Sequence, residues 1–397
     1  MEKKKIVVLD AFLKPIFGGG QIVTNLLFKY LSNDFDVKFV GDKTRSDPFY
    51  SVAIPGFRDS YLRRLILWIF SFRSVYRTVK GNELGMSNIQ YRFVVSLPKF
   101  FVDKLVNKDA IKLMEGADVI ISNSMYDPFL LRVAKIRGKK IIRVNHLPLN
   151  LESTRKIDLF LKYICDRNDA ELISVVLSGS QAKASNDLGI KTVLIPNGIE
   201  QTNISDKVIS DTLNKFGLAG KRFLFSIGRL QDSQKGFSLS IRAMSLLKDK
   251  DLVYVIAGSG PDRDYYTNLV SSLGLTDRVK LIGFVSDEEK LALMHSSFAF
   301  LQPSYFESFG IVTLEALSQG AIVLVSRNEG SVDMIKDGEN GFFIELREED
   351  IKNKIETVLG MTEKERGRIK TNAIQTAKVY SAENMISKYV DLIADQR

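Results

Sequence analysis

The sequence predicts an α/β chain made of two successive doubly wound parallel sheets, and three observations carry that expectation. Short, wholly apolar runs alternate with segments of helical periodicity, as expected of strands buried on both faces and the helices that connect them. The alternation ends near residue 200 and restarts with KRFLFSIG at 221–228. The length of 397 residues suits two domains of about 100–200 residues each, and 45% hydrophobic content supplies their cores and excludes a disordered chain.

The elements follow in order. KIVVLD at 5–10 is a first buried strand; its basic approach resembles a secretion signal, but Asp10 interrupts after four apolar residues and no small-residue cleavage site follows. IVTNLLFKYL at 22–31 has helical spacing, and DVKFVG at 36–41 is the next strand. DVIISN (118–123), KIIRVN (140–145), ISVVLSGS (173–180) and TVLIPNG (192–198) continue the first sheet, with helices in PFLLRVAKIRG (128–138) and QAKASNDLG (181–189). Pro, Gly and polar residues cluster in PNGIEQTNISDK at 196–207, which marks a linker. The second sheet takes KRFLFSIG, LVYVIAG (252–258), VKLIG (279–283), FAFLQPS (298–304) and AIVLVS (321–326), with FSLSIRAMSLLKDK at 237–250 as its first helix. The expected division is an N-terminal domain over 1–200, a C-terminal domain over 201–378 and a last helix within 379–397.

The formal charge of +9 is unevenly spread: residues 1–200 carry +11 and the remainder −2, as expected of units facing different partners. Residues 48–110 break the alternation. Within 58–80, Arg58, Arg63, Arg64, Arg73, Arg77 and Lys80 face only Asp59 and are interleaved with Tyr61, Trp68, Phe70, Phe72 and Tyr76. That composition fits a helix lying in a membrane interface, or a helix pair capping the first domain with its aromatic face inward. No stretch approaches 18 uninterrupted apolar residues, LILWIF at 65–70 being the longest run of that region, so a spanning helix is not expected. Cys165 is the only cysteine, which excludes an internal disulfide and favours a reducing compartment. With His146 and His295 as the only imidazoles, a four-ligand zinc cluster is excluded and acid–base chemistry is restricted.

Two constellations carry chemistry. In LQPSYFESFGIVTLEALSQG, 301–320, a strand leads through a loop into a helix expected to begin near Phe309. The N–H groups of Ser308, Phe309, Gly310 and Ile311 would be unsatisfied there, and Gly310 lets a phosphate approach. Glu307 and Glu315 lie eight positions apart, roughly 12 Å if helical throughout, which exceeds the spacing of glycosidase carboxylate pairs. They suit separate parts of one long ligand; a solvated Glu315 is the alternative. In SIGRLQDSQKG, Arg229 and Lys235 follow the first strand of the second sheet, where doubly wound sheets bind ligands, and together suit a diphosphate. GGG at 18–20, with Gly19 and Gly20, is either a flexible turn or, as its position directly after the first strand favours, a phosphate loop. GSGPDR at 258–263 lacks the third glycine of a dinucleotide fingerprint. Taken alone, His146 is equally a strand-end structural residue, and His295 reads as packing or solvated.

Together GRLQDSQKG, AGSGPDRD (257–264), VKLIGFVSDEE (279–289) and PSYFESFGIVTLEALSQGAIVLVS (303–326) resemble the retaining nucleotide-sugar glycosyltransferases of the group 1 family, which have the GT-B fold. FGGGQIVTNLL (17–27), NHLPLN (145–150), SGSQA (178–182) and PNGIE (196–200) extend the resemblance more thinly into the first half. It implies two Rossmann-like domains facing across a cleft, with the final helix, SAENMISKYVDLI, crossing back onto the first domain. By the same resemblance Glu307 would contact sugar hydroxyls, Glu315 the ribose, and Arg229 and Lys235 the diphosphate. Amides at Phe309, Gly310 and Ile311 would join them, the main chain at Gly283, Phe284 and Val285 would meet the base, Gly19 and Gly20 would approach the phosphates, and His146 would sit beside the transferred sugar. The family needs no metal, and the chain offers no Asp-x-Asp in a plausible strand-end setting.

The expected activity is transfer of a hexose from a nucleotide-diphosphate sugar, the co-substrate, to a glycan or lipid-linked acceptor, without a cofactor. The expected setting is cytoplasmic and peripheral to the membrane, with residues 57–80 toward an anionic surface. A nucleotide-sugar epimerase of the same fold is the alternative enzyme. A basic nucleic-acid-binding module is the alternative outside catalysis, but it leaves the carboxylate and Arg/Lys spacing unexplained, so no nucleic-acid partner is expected.

Overall fold

A computed structural model describes residues 2–10, 19–42, 52–54, 108–123, 131, 134–146 and 152–395. The chain forms two compact units, Met1–Ile195 with Ile386–Arg397, and Pro196–Met385. The basic, aromatic segment at 57–80 lies outside the described residues.

The first unit holds strands β1 (Lys5–Asp10), β2 (Asp36–Asp42), β3 (Val52–Ile54), β4 (Val119–Ser122), β5 (Lys140–Val144), β6 (Glu171–Val176) and β7 (Lys191–Leu194). They form one parallel sheet in the order β3-β2-β1-β4-β5-β6-β7. Ile6 pairs with Val37 on one side and Val119 on the other, and Ile6 to Leu9 are buried on both sheet faces, which is why the run is uniformly apolar. Helices α1 (Gly19–Asp34), α2 (Lys108–Gly116), α3 (Glu152–Arg167) and α4 (Gly179–Asn186) accompany the sheet. Ser178 caps α4 by accepting from Gln181 N. Leu9, Met114, Ile120, Ile141, Leu161 and Cys165 share one core, and burial pushes the Cys165 thiol up to about 12, so it acts as a small apolar side chain.

The second unit holds β8 (Phe223–Ile227), β9 (Val253–Ala257), β10 (Val279–Gly283), β11 (Ala299–Gln302), β12 (Val323–Ser326) and β13 (Phe342–Ile344), parallel in the order β10-β9-β8-β11-β12-β13. Its helices are α5 (Asp206–Lys215), α6 (Asp232–Lys235), α7 (Phe237–Leu246), α8 (Arg263–Ser272), α9 (Asp287–Ser296), α10 (Ile311–Ser318), α11 (Glu329–Val332), α12 (Glu348–Leu359) and α13 (Glu363–Val379). Capping boxes, Ser286 with Glu289 and Thr362 with Glu365, set the starts of α9 and α13. Phe237, Ile241, Tyr254, Tyr266 and Leu324 lie in its buried core. Each fully buried side chain of this kind contributes about 1.5–3 kcal/mol.

The last helix, α14 (Ala382–Ala394), begins in the second unit, and its residues from Ile386 belong to the first. Lys4 Nζ donates to Ile393 O at 2.8 Å and Lys140 Nζ to Leu392 O at 3.0 Å. These two cations satisfy carbonyls that the end of a helix leaves open, where the macrodipole favours positive charge.

β3 and β13 are not among the apolar runs read from sequence. Each has only three residues, too few to show a period. In both sheets the strand order reverses once, between β1 and β4 in the first unit and between β8 and β11 in the second. At such a switch point the crossovers leave in opposite directions and open a crevice at the carboxyl ends of the strands.

Candidate active site

In the second unit the chain leaves β8 through Gly228, where a methyl group would stand 3.1 Å from Lys235 Cε. Gly258, at φ 127°, packs so tightly on Gly228 that any side chain there would collide with the Gly228 carbonyl. Asp232 shapes the loop that follows. Its carboxylate accepts from Ser238 N (2.9 Å), Ser238 Oγ (2.6 Å) and Tyr266 OH (3.0 Å), while its own N–H donates to Asp262 Oδ2 at 2.7 Å. The single turn α6 thereby delivers Lys235 inward, leaving it 8% exposed.

Lys235 Nζ donates to Glu307 Oε1 at 2.5 Å. Gln302 Nε2 and Ser304 Oγ, at the carboxyl end of β11, donate to the same oxygen at 3.0 Å each. Glu307 Oε2 makes no hydrogen bond among the described residues, so the carboxylate is anchored through one oxygen and offers the other. An ammonium has three N–H groups, so Lys235 keeps donors beyond the one used here. Arg229, one residue past Gly228, is exposed, and its guanidinium has no ion-pair or hydrogen-bond partner among the described residues.

The helix after Glu307 begins at Ile311, two residues later than the sequence suggests. Gly310 sits at φ 81°, ψ 50°, a left-handed conformation that no helical residue adopts. Among the described residues the free amides at the helix start belong to Gly310, Ile311, Val312 and Thr313, and the first closing bond is Leu314 N to Gly310 O at 3.1 Å. The approach to it is held by Phe309, buried edge-on against Tyr380 with ring centroids 5.9 Å apart, and by Gly330, where a side chain would collide with the Phe309 backbone. Ser308 is half-buried between Glu307 and Phe309.

Glu315 lies in α10 and is buried, with Oε1 2.7 Å from Lys290 Nζ; Lys290 also donates to Asp287 Oδ1 at 2.9 Å. Burial raises the Glu315 carboxyl, and the Lys290 contact opposes that. For Lys290 burial works against the charge, but Glu315 and Asp287 lift its pKa, so the ammonium is the species held there. Glu307 and Glu315 thus have separate cations and no common partner. Just before α9, Gly283 at φ 77° ends β10 with open space where a side chain would stand, Phe284 is 73% exposed, and Val285 is buried.

In the first unit, Asn123 follows β4 and is tied to β1 by its N–H bond to Leu9 O at 3.0 Å. Its side chain is buried, with Nδ2 donating to Thr24 Oγ1 on α1 at 2.5 Å and Oδ1 2.5 Å from His146 Nε2. His146 follows β5; burial, with Arg143 beside it, lowers its pKa to about 4, so the ring is neutral at pH 7. Arg143 and Asp158 form a buried pair at 3.5 Å, and Asn145 Nδ2 bridges Asp158 Oδ2 (3.1 Å) and Ser174 Oγ (2.8 Å). Gly19 and Gly20 open α1, the helix that follows β1.

The structure therefore brings Lys235 to Glu307 and places both, with Arg229 and the start of α10, at the carboxyl ends of β8 and β11. Sequence reasoning missed Gln302, Ser304, Asp232, Lys290 and Asn123. Gln302 and Asn123 had a usable signal, each being a polar residue at or just past the end of an apolar strand run. Lys290 had none.

Residues 210–376 match the family model described as Glycosyl transferases group 1. They form a group 1 glycosyl transferase domain. The chain containing this group 1 domain is 24% identical over 343 residues to 2-deoxystreptamine N-acetyl-D-glucosaminyltransferase of Niallia circulans, spanning 81% of this chain and 83% of that protein. It is 34% identical over 160 residues to N-acetylgalactosamine-N,N'-diacetylbacillosaminyl-diphospho-undecaprenol 4-alpha-N-acetylgalactosaminyltransferase of Campylobacter jejuni, 40% and 41% of the two chains. Two further curated relatives are matched over only 32% of their length. The structure of HepE from Anabaena with UDP and glucose superposes with a TM-score of 0.72 at 18% identity, covering 98% of this chain and 99% of HepE. The fold around the group 1 domain is accordingly GT-B.

Proposed function

We propose that the chain is a retaining glycosyltransferase that moves a hexose from a nucleotide-diphosphate sugar to an acceptor without requiring a metal. The observation that carries the reading is Glu307, whose Oε1 is fixed by Lys235, Gln302 and Ser304 while Oε2 has no partner among the described residues. One free carboxylate oxygen beside a buried ammonium at a switch point suits a sugar hydroxyl next to a phosphate.

Cleaving the glycosyl–diphosphate bond builds negative charge on the departing phosphate. Lys235, Arg229 and the amides at the start of α10, including Ile311, form a fixed set of donors for that charge, worth about 3–4 kcal/mol per donor at the transition state. Gly310 keeps the approach free of a side chain, and Ser308 and Phe309 complete the turn. Glu315, paired with Lys290, takes the ribose hydroxyls, and the main chain at Gly283, Phe284 and Val285 meets the base. In the first unit Gly19 and Gly20 open α1 and His146 follows β5, beside that unit's own switch point. Retention follows if the leaving phosphate itself accepts the acceptor proton, which suits a chain so poor in histidine.

The acceptor is a lipid-linked saccharide or related glycan at the cytoplasmic membrane surface. The name of the Campylobacter relative contains a diphospho-undecaprenol acceptor, and the first 200 residues carry the positive charge an anionic surface attracts. No helix among the described residues is long and apolar enough to cross a membrane. Incubation with UDP- and GDP-sugars and a polyprenyl-diphosphate saccharide, followed by mass spectrometry and NMR of the new linkage, tests the reading. The expected product is one hexose heavier with the donor's anomeric configuration; donor isomerisation without acceptor would identify an epimerase instead. Flotation with anionic liposomes tests the location, and equal partition of wild type and an Arg63, Arg64, Trp68 triple-alanine variant counts against it.

A further inference from the structure

The polar chain Thr24–Asn123–His146 stands at the switch point of the first unit, joining α1 to the ends of β4 and β5. Its hydrogen bonds have a direction. A helical threonine commonly donates its hydroxyl proton to the carbonyl one turn back, leaving its oxygen as an acceptor. Thr24 Oγ1 therefore takes the Asn123 Nδ2 proton, and the amide oxygen is the end that faces His146. An amide oxygen only accepts, so the imidazole Nε2 must carry the hydrogen. In a neutral ring Nδ1 is then the bare nitrogen.

We propose that Asn123 is a positioning residue that fixes His146 in its Nε2–H tautomer and leaves Nδ1 as an acceptor for a hydroxyl of the sugar nucleotide. The ligand half of this statement rests on the glycosyltransferase reading above; the tautomer half does not. The ring stays neutral because burial and the Arg143 guanidinium oppose a second proton. Among the described residues Asp158, from α3, is the carboxylate of this cluster, and it is engaged by Arg143 and Asn145 rather than by the imidazole. His146 is thereby denied the role of a general acid at neutral pH. It recognises a hydroxyl by accepting from it, which discriminates against a deoxy or substituted sugar at that position.

The two histidines make the test direct. In the full chain labelled with ¹⁵N-histidine, two-bond ¹⁵N–¹H correlations report each tautomer, and His295→Gln assigns the remaining ring. The expected wild-type result is a pyrrole-like Nε2 and a pyridine-like Nδ1 from about pH 5.5 to 8. Asn123→Ala should give a mixture of tautomers and raise the donor KM, lowering kcat/KM about tenfold. Asn123→Asp, nearly isosteric, should hold a charged imidazolium at neutral pH and serves if the alanine variant fails to fold. UDP-glucose and GDP-mannose are the probes, and the donor that binds should shift Nδ1 in wild type but not in Asn123→Asp. An Nδ1–H or doubly protonated ring in wild type at pH 7, or an unchanged tautomer in Asn123→Ala, overturns the inference. A wild type that transfers no sugar yet shows the expected tautomer counts against the glycosyltransferase reading alone.

Discussion

Lys235 and Glu307, 72 positions apart in the chain, meet at 2.5 Å across the carboxyl ends of β8 and β11, with most of both side chains out of solvent. The lysine is delivered by a one-turn helix and the glutamate by the loop before α10, so the pair ties together the two segments proposed to hold the leaving group and the sugar.

We predict that Lys235→Ala and Glu307→Ala each lower kcat by about 10²–10³, the cost of one transition-state donor or its anchor. Each also strands its partner's charge, at a stability cost of about 3 kcal/mol. The double variant should regain part of that stability without regaining activity, because it removes both buried charges. Steady-state transfer assays and thermal denaturation measure the two effects; near-normal kcat in either single variant would sink the assignment.

Lys290→Met should raise the donor KM more than it lowers kcat. Without the ammonium, burial raises the Glu315 carboxyl further, and its ionised fraction falls as pH falls. The KM increase is therefore expected to be larger at pH 6 than at pH 8. In the wild type the sign for Lys290 itself is opposite. Its folded pKa lies above 10.5, so its stabilisation is complete below that value and is lost as pH rises through the folded one. Denaturation curves above pH 10.5 should lose this alkaline slope in Lys290→Met.

His146 predicts an acid-side slope. Its folded pKa near 4 lies below the ordinary 6.5, so the unfolded chain binds the proton first and stability rises with pH between those values. The contribution is at most about 3 kcal/mol. His146→Gln should flatten urea-denaturation midpoints measured between pH 4 and 6.5; an unchanged slope would show that the ring titrates normally.

Gly310→Ala and Gly258→Ala should differ in kind. At Gly310 a methyl group meets only the Thr313 side chain at ordinary distances, Oγ1 at 3.5 Å and Cβ at 3.7 Å, so the cost is the left-handed backbone alone, about 1–2 kcal/mol. Activity should fall further than stability, since the start of α10 shifts. At Gly258 the methyl group collides with the Gly228 carbonyl, and the Lys235 loop cannot keep its course. Thermal shift paired with kcat separates the two, and equal stability losses would contradict the packing described.

Much of this was legible in the chain itself. Runs such as KIVVLD and LVYVIAG are uniformly apolar because both sheet faces are covered, so strands, crossovers and the restart after residue 200 follow from local pattern. Arg229, Lys235 and Glu307 stand out because unlike charges in the loops after strand ends need a reason, and Glu315 because it interrupts the apolar run of α10. What only the tertiary structure decided is which groups meet. Lys290 reaches Glu315 over 25 positions, and His146 reaches Asn123 over 23. Those distances are set by strand order, which brings β8 beside β11 and β4 beside β5, and a period of apolar residues carries no record of that order. Likewise the α10 boundary depends on the sign of one glycine's φ, which composition leaves open and packing of Phe309 on Gly330 and Tyr380 settles.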